Sequence, residues 1–277
     1  MDEHILVKMH EGMLFLYAFS LLFYYIDFLE NKKRIKKLAF VFLVIVWFLQ
    51  TLFFVLYMIE QRRFPVLTLA EGLYFYSWLL LTLAILFSLF VKIEFIVFFS
   101  AVLGFITVVI YTFAPFRWQS PSVMKKLTSE LLFFHITLSL AAYVLFSISF
   151  ILSLLYILQY HMLKRKKWKK QLFRIQDLSK LEHFSYRFNI IGIPLLATGL
   201  VLGLQWLVMK MPAVRFYDWK ITGSLLILFV YGIYVFLKLK KGLHGKKLAL
   251  WNIAAFLLVL INFFLFSKLS SFHFWYA

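Results

Sequence analysis

Two histidines carry the clearest chemical potential in this chain. His135 stands near the start of a long apolar run, SELLFFHITLSLAAYVLF, and His273 stands in the terminal segment KLSSFHFWYA. A neutral imidazole is a good metal ligand, and two of them brought to one surface can ligate a metal, or a haem iron from both sides. Between them in sequence lies KMPAVRFYDWK (Lys210 to Lys220), an aromatic stretch with Phe216, Tyr217 and Trp219 around one acid, Asp218, and cations at Arg215 and Lys220. Aromatic faces with a cation on each side suit a flat porphyrin whose propionates need a positive partner. Each piece also has a plainer reading. His135 can be a packing residue bonded to a neighbouring helix, His273 an interfacial residue of a terminal tail, and the aromatic stretch an interfacial turn.

Whether these residues meet depends on the elements that carry them. Of 277 residues, 64% are hydrophobic, 21% aromatic and only 15% charged. A soluble domain holds roughly 45–50% apolar residues, so this composition excludes one and points to a polytopic membrane protein. Asp2, Glu3 and His4 precede the first long apolar run, which argues against a cleaved signal peptide and for a retained N-terminus. With no cysteine, the chain has no disulfide, thiolate metal site or covalent thioether link to haem. The net charge of +18 is then a question of topology, and nucleic acid is not an expected partner.

Runs of about 20 apolar residues mark spans. Eight are expected, near 7–27, 38–58, 71–91, 94–114, 131–158, 188–209, 221–240 and 248–267. The expected fold is an all-α integral membrane protein, one bundle of eight helices in a single domain over 1–277. The segments NKKRIKK (31–37), HMLKRKKWKKQLFRIQDLSK (161–180) and KLKKGLHGKK (238–247) fall on one side, and that side holds twenty of the thirty basic residues. The positive-inside rule makes it cytoplasmic and places both termini, His135, His273 and the aromatic loop on the outer face. Trp118, Trp206, Trp219, Trp251 and Trp275 fall near expected interfaces, and Glu71 falls at a helix start where the dipole favours a carboxylate.

Other features speak against classical catalysis. No G-x-S-x-G, Walker loop, H-E-x-x-H or paired-carboxylate pattern is present, so a binding or regulatory protein is expected rather than an enzyme. The run KRKKWKK (Lys164 to Lys170) suits anionic lipid headgroups, with docking of a cytosolic enzyme or protease as the alternative. His161, His183 and His244 share that face without metal-ligand spacing.

The segment LEHFSYRFNIIGIPLLATGLVLG (Leu181 to Gly203) resembles the "L-D-x-L-x-Y-R … G-F-P-L-L-T-x-G … G" stretch of the CcsA/ResC/CcmC haem-handling family. Tyr186, Arg187, Gly192, Pro194, Thr198, Gly199 and Gly203 carry the likeness, and FPVLTLAEGLYFYSW (Phe64 to Trp78) is similar to the family's "P-x-x-N-x-x-E-x-L-x-F-x-x-W". The resemblance implies non-covalent haem (haem b), with His135 and His273 as iron ligands flanking the family's tryptophan-rich loop. FYDWK takes the place of that loop: Tyr217 and Asp218 are kept, while Trp219 replaces a proline and Ile221 a glutamate. It further implies haem-face contacts from Tyr217 and Trp219, and loop positioning or propionate contact from Asp218, Arg215 and Lys220. The eight-span length and altered loop resemble members tied to haem synthesis. That likeness implies control of the level of glutamyl-tRNA reductase, with the reductase or a membrane protease as cytoplasmic partner. The alternatives are a haem export or presentation subunit of cytochrome c maturation, and a scaffold without haem acting through its basic loops.

Overall fold

Eight long helices account for the eight expected spans. The computed structural model describes residues 3–90, 95–113, 129–165, 177–210 and 218–270, with side chains from residue 8 onward. The helices are α1 (Glu3–Glu30), α2 (Lys33–Gln61), α3 (Leu69–Phe90), α4 (Ile96–Phe113), α5 (Glu130–Lys164), α6 (Leu178–Lys210), α7 (Trp219–Lys241) and α8 (Lys246–Ile261). After α8 the helix widens into a π turn, Asn262–Phe266, and closes with Ser267–Leu269. All eight are long and apolar enough to cross a membrane.

Two of them outrun their apolar stretches. α5 continues to Lys164 and α6 already begins at Leu178, so at 1.5 Å per residue each is about 50 Å long against a hydrocarbon layer of about 30 Å. Hydropathy marks only the part that lipid can solvate. The polar turns beyond it remain helical because their backbone bonds are made within the helix.

The helices gather into two compact units. The first holds α1, α2, α4 and α3 from Leu73 onward. Ala39, Leu43, Val46, Gln50 and Phe54 form the buried stripe of α2 at helical spacing. Trp47 donates its indole N–H to Thr82 Oγ1 at 2.7 Å and Trp78 donates to Thr51 Oγ1 at 2.8 Å, a reciprocal pair joining α2 to α3.

The second unit holds α5 to α8 with the short segment Val66–Gly72. That segment is a capping box: Glu71 N–H donates to Thr68 Oγ1 at 3.1 Å, while Glu71 Oε2 accepts from Leu67 N at 2.8 Å and Thr68 N at 3.2 Å. The carboxylate at the helix start thus closes the open end of α3. α5 is the central element, with 78% of its most apolar window buried against 28% to 44% for the other spans. α6 packs on it through a stripe of glycines. A Cβ added at Gly192 would lie 2.7 Å from Phe146 Cε1, at Gly199 2.8 Å from Ser139 Oγ, and at Gly203 2.5 Å from His135 Nδ1. Small residues let two backbones approach this closely where lipid supplies no hydrophobic drive.

A buried polar cluster ties three helices of this unit together. Asn252 Nδ2 in α8 lies 2.9 Å from Ser149 Oγ and 2.8 Å from Ser153 Oγ in α5, and 3.2 Å from Ser185 Oγ in α6, while Asn189 Nδ2 donates to Asn252 Oδ1 at 2.8 Å. At the end that carries the basic segments, Glu182 Oε1 accepts from Lys238 Nζ at 3.0 Å and pairs with His244 Nδ1 at 2.8 Å, and its Oε2 accepts the N–H of Gly245 at 2.9 Å. That last bond caps the start of α8 and pins the α7–α8 turn to α6. A cavity with room for about one water lies beside it, lined by Ser153, Glu182, Ser185 and Tyr234.

Candidate functional site

His135 sits in the second turn of α5. Ser129 caps that helix, its Oγ accepting the N–H of Leu132 at 3.2 Å, and Glu130 adds a carboxylate at the positive end of the dipole. The imidazole lies on the glycine stripe of α6, and its Nδ1 is 2.6 Å from the carbonyl oxygen of Gly199. A carbonyl can only accept, so Nδ1 carries the proton and donates. The lone pair is therefore on Nε2, which has no partner among the described residues. A histidine that donates one ring N–H to a backbone carbonyl and holds the other nitrogen free has the arrangement usual for metal-ligating imidazoles. The same bond also serves a histidine that packs α5 against α6.

Trp206 Nε1, like Thr137 Oγ1 and Asn262 Oδ1, has no hydrogen-bond partner among the described residues. Trp206 follows Gly203 by three residues on α6 and is 5% exposed. A buried donor of this kind is free to bond a water or a ligand oxygen. In sequence Trp206 has only the character of an interfacial anchor. Its spacing from Gly203 was the available signal, but it is informative only once His135 is known to rest on Gly203.

Three expected site residues fall in the described part of the loop and α7. Asp218 is the cap of α7, buried, with Oδ1 accepting the Lys220 N–H at 2.8 Å. Trp219 is 57% exposed, with the Phe266 ring 5.8 Å away, so most of its face is open. Lys220 turns inward: its Nζ donates to the carbonyl oxygen of Asn262 at 3.0 Å and to Ser267 Oγ at 2.7 Å, and it lies 5.7 Å from the Phe263 ring centroid. Arg215, Tyr217 and His273 lie outside the described residues, and so does the run Lys166 to Lys170. Ser267 precedes His273 by six positions, so Lys220 touches the element from which the second histidine continues.

Asn262, the first residue of the π turn, joins this arrangement to α5. Its Nδ2 donates to Tyr143 Oη at 3.1 Å and to Ser224 Oγ at 3.3 Å. Among the described residues no group of three or more His, Cys, Asp or Glu is placed to hold a bare metal ion. His244, its ring largely exposed, pairs with Glu182, and His161 Nδ1 is 2.9 Å from the Ile157 carbonyl. No local pattern in the sequence marks His10 in the first unit; its Nε2 lies 2.8 Å from Thr112 Oγ1, whose own hydroxyl donates to the Val108 carbonyl, within a ring of Phe53, Tyr74 and Tyr111.

Comparison with known proteins covers these elements. Residues 66–273 match the family described as Cytochrome C assembly protein. The chain belongs to that family. The match takes in α3 to α8 and leaves α1 and α2 outside it. Protein HemX of Bacillus subtilis (strain 168) is 44% identical over 277 residues, all of both chains, and Protein HemX of Brevibacillus brevis is 40% identical over 265 residues, 95% of this chain and 96% of that one. A more distant member, Cytochrome c biogenesis protein CcsA of Chlamydomonas reinhardtii, is 27% identical over 209 residues, 72% of this chain and 57% of its own length. The chain is thus a multi-pass membrane protein of the cytochrome c assembly family.

Proposed function

We propose that this protein binds haem b non-covalently at the outer face of the bacterial cell membrane and reports haem status to the cytoplasmic side, where it sets the level of glutamyl-tRNA reductase. It acts as a binding protein rather than an enzyme. The observation that carries the proposal is the His135 ring, with Nδ1 held by the Gly199 carbonyl and Nε2 without a partner among the described residues. His135 and His273 are the axial ligands. Tyr217 and the open face of Trp219 cover the porphyrin, Asp218 holds the loop by capping α7, and Arg215 is the loop cation facing a propionate. The indole N–H of Trp206, without an acceptor among the described residues, is a hydrogen-bond donor for the ligand. Bound haem would supply a redox-active iron; the chain supplies two neutral imidazoles, an apolar cover and no thiolate. The resemblance to HemX, over the whole length, supports the link to haem synthesis. The basic segments between α5 and α6 and between α7 and α8 are the cytoplasmic surface for the reductase or a membrane protease.

The site is tested by purifying the protein with haem supplied. A Soret band with low-spin bis-imidazole features is expected, lost in the variant carrying His135→Ala and His273→Ala. A spectrum unchanged by both substitutions would sink the ligand assignment. The role is tested by deleting the chain from its host: altered reductase abundance with normal c-type cytochromes is expected, whereas loss of c-type cytochromes would favour haem delivery instead.

A further inference from the structure

Tyr186 and Arg187, two of the residues that carry the family likeness, point to different sides of α6. Tyr186 meets α7, where Lys238 Nζ lies 4.5 Å from its ring centroid. Arg187 is exposed and makes no ion pair or hydrogen bond among the described residues. Lys180, His183, Arg187, Ile190, Ile191 and Val201 recur at helical spacing and all are exposed, whereas Leu181, Ser185, Asn189 and Gly192 on the other side are buried. The outward face of α6 is therefore one stripe, basic where the helix begins and apolar from Ile190 onward, with Ile191 51% and Val201 62% exposed. Glu182, bonded to Lys238 and to the Gly245 N–H, marks the polar end of the unit. Arg187 lies five residues further along, about 7.5 Å toward the apolar part of the helix. A guanidinium at that depth is costly unless it reaches the headgroup layer or meets an anion. The acids of α6 and its approach are engaged elsewhere: Glu182 takes Lys238 and His244, and Asp177 sits 3.8 Å from Lys180, about 15 Å along the axis from Arg187.

We propose that this stripe is a binding site for one anionic phospholipid, with its phosphate held by Arg187, its headgroup beside His183 and Lys180, and an acyl chain along Ile190, Ile191 and Val201. The planar guanidinium bonds two phosphate oxygens at once, which a lysine cannot do. His183 and Lys180 stand one and two turns nearer the aqueous side, where a negative headgroup continues. Inorganic phosphate would suit the same fork but leaves the apolar half of the stripe uncovered, so a lipid is the occupant. The site uses none of the run Lys164 to Lys170 and does not depend on the haem reading.

The test uses the full-length protein in an uncharged detergent, titrated with phosphatidylglycerol, phosphatidylcholine or sodium phosphate, with bound lipid counted by native mass spectrometry. The wild type should bind one phosphatidylglycerol about tenfold more tightly than phosphatidylcholine, whose choline faces Lys180. Loss of a charged, forked bond predicts that Arg187→Gln weakens phosphatidylglycerol binding about tenfold. Arg187→Lys keeps the charge without the fork and should weaken it about threefold. Lys241→Gln removes an equal charge from the last turn of α7 and should change binding by less than about twofold, the part owed to screened surface charge. Equal weakening by Arg187→Gln and Lys241→Gln would overturn the site in favour of diffuse attraction. Equal affinity for the two lipids would overturn the anionic requirement, and displacement of the lipid by equimolar sodium phosphate would overturn the lipid as occupant. If Arg187→Gln does not accumulate, Arg187→Lys decides, and wild-type affinity in that variant would overturn the forked contact.

Discussion

Gly203 lies under the imidazole of His135 with no room to spare, since an added Cβ would sit 2.5 Å from Nδ1. Gly203→Ala must therefore displace the ring or separate α5 from α6. We expect a loss of about 1–3 kcal/mol from overpacking together with loss of the haem spectrum, read by thermal denaturation in detergent and by the Soret band. Gly232→Ala is the matching control: nothing lies within 4 Å of a Cβ there, and replacing a glycine inside a helix should stabilise by about 0.5–1 kcal/mol. An effect of Gly203→Ala no larger than that of Gly232→Ala would refute the close-packing account. At this scale His135 was legible because an imidazole within an apolar run is costly unless it has a task. Its partner Gly199 was legible only as part of a family likeness, because no local pattern connects two residues on different helices.

The helices themselves were read well from apolar runs, and their ends less well. α5 and α6 extend past 158 and before 188 because a hydropathy window follows lipid solvation, whereas a helix stops only where its backbone bonds stop. The asparagines were passed over as well, although Asn189, Asn252 and Asn262 each interrupt an apolar run. All three are fully buried. Asn252→Leu would strip Asn189 and three serines of a shared partner. It should cost about 1–2 kcal/mol, measurable as a lower midpoint in detergent unfolding. A midpoint at or above that of the wild type would mean the cluster is no net stabiliser. Lys220 belongs to the same lesson. Its sequence neighbours suggested a loop cation free to meet a propionate, while its acceptors lie on a helix more than forty positions away.

At the scale of the whole molecule, the lack of native cysteine makes topology directly testable. Single variants Arg34→Cys and Lys240→Cys should resist a membrane-impermeant thiol reagent in intact cells and react after permeabilisation, whereas Lys126→Cys should react in both. The reverse pattern would invert the proposed orientation and place His135 on the cytoplasmic side. Such inversion would also separate the haem reading from the reductase reading, because the basic segments would then face outward. Composition and loop charge determined that this is a membrane protein with eight helical spans, since solvation by lipid is a property of each segment taken alone. The family likeness was also carried by local motifs. Tertiary structure decided which nitrogen of His135 bonds a carbonyl, which acceptors Lys220 reaches and which asparagine joins three helices. Those contacts depend on glycine stripes and a π turn that set the approach of one helix to another, and the distances they fix are not written in any single stretch of chain.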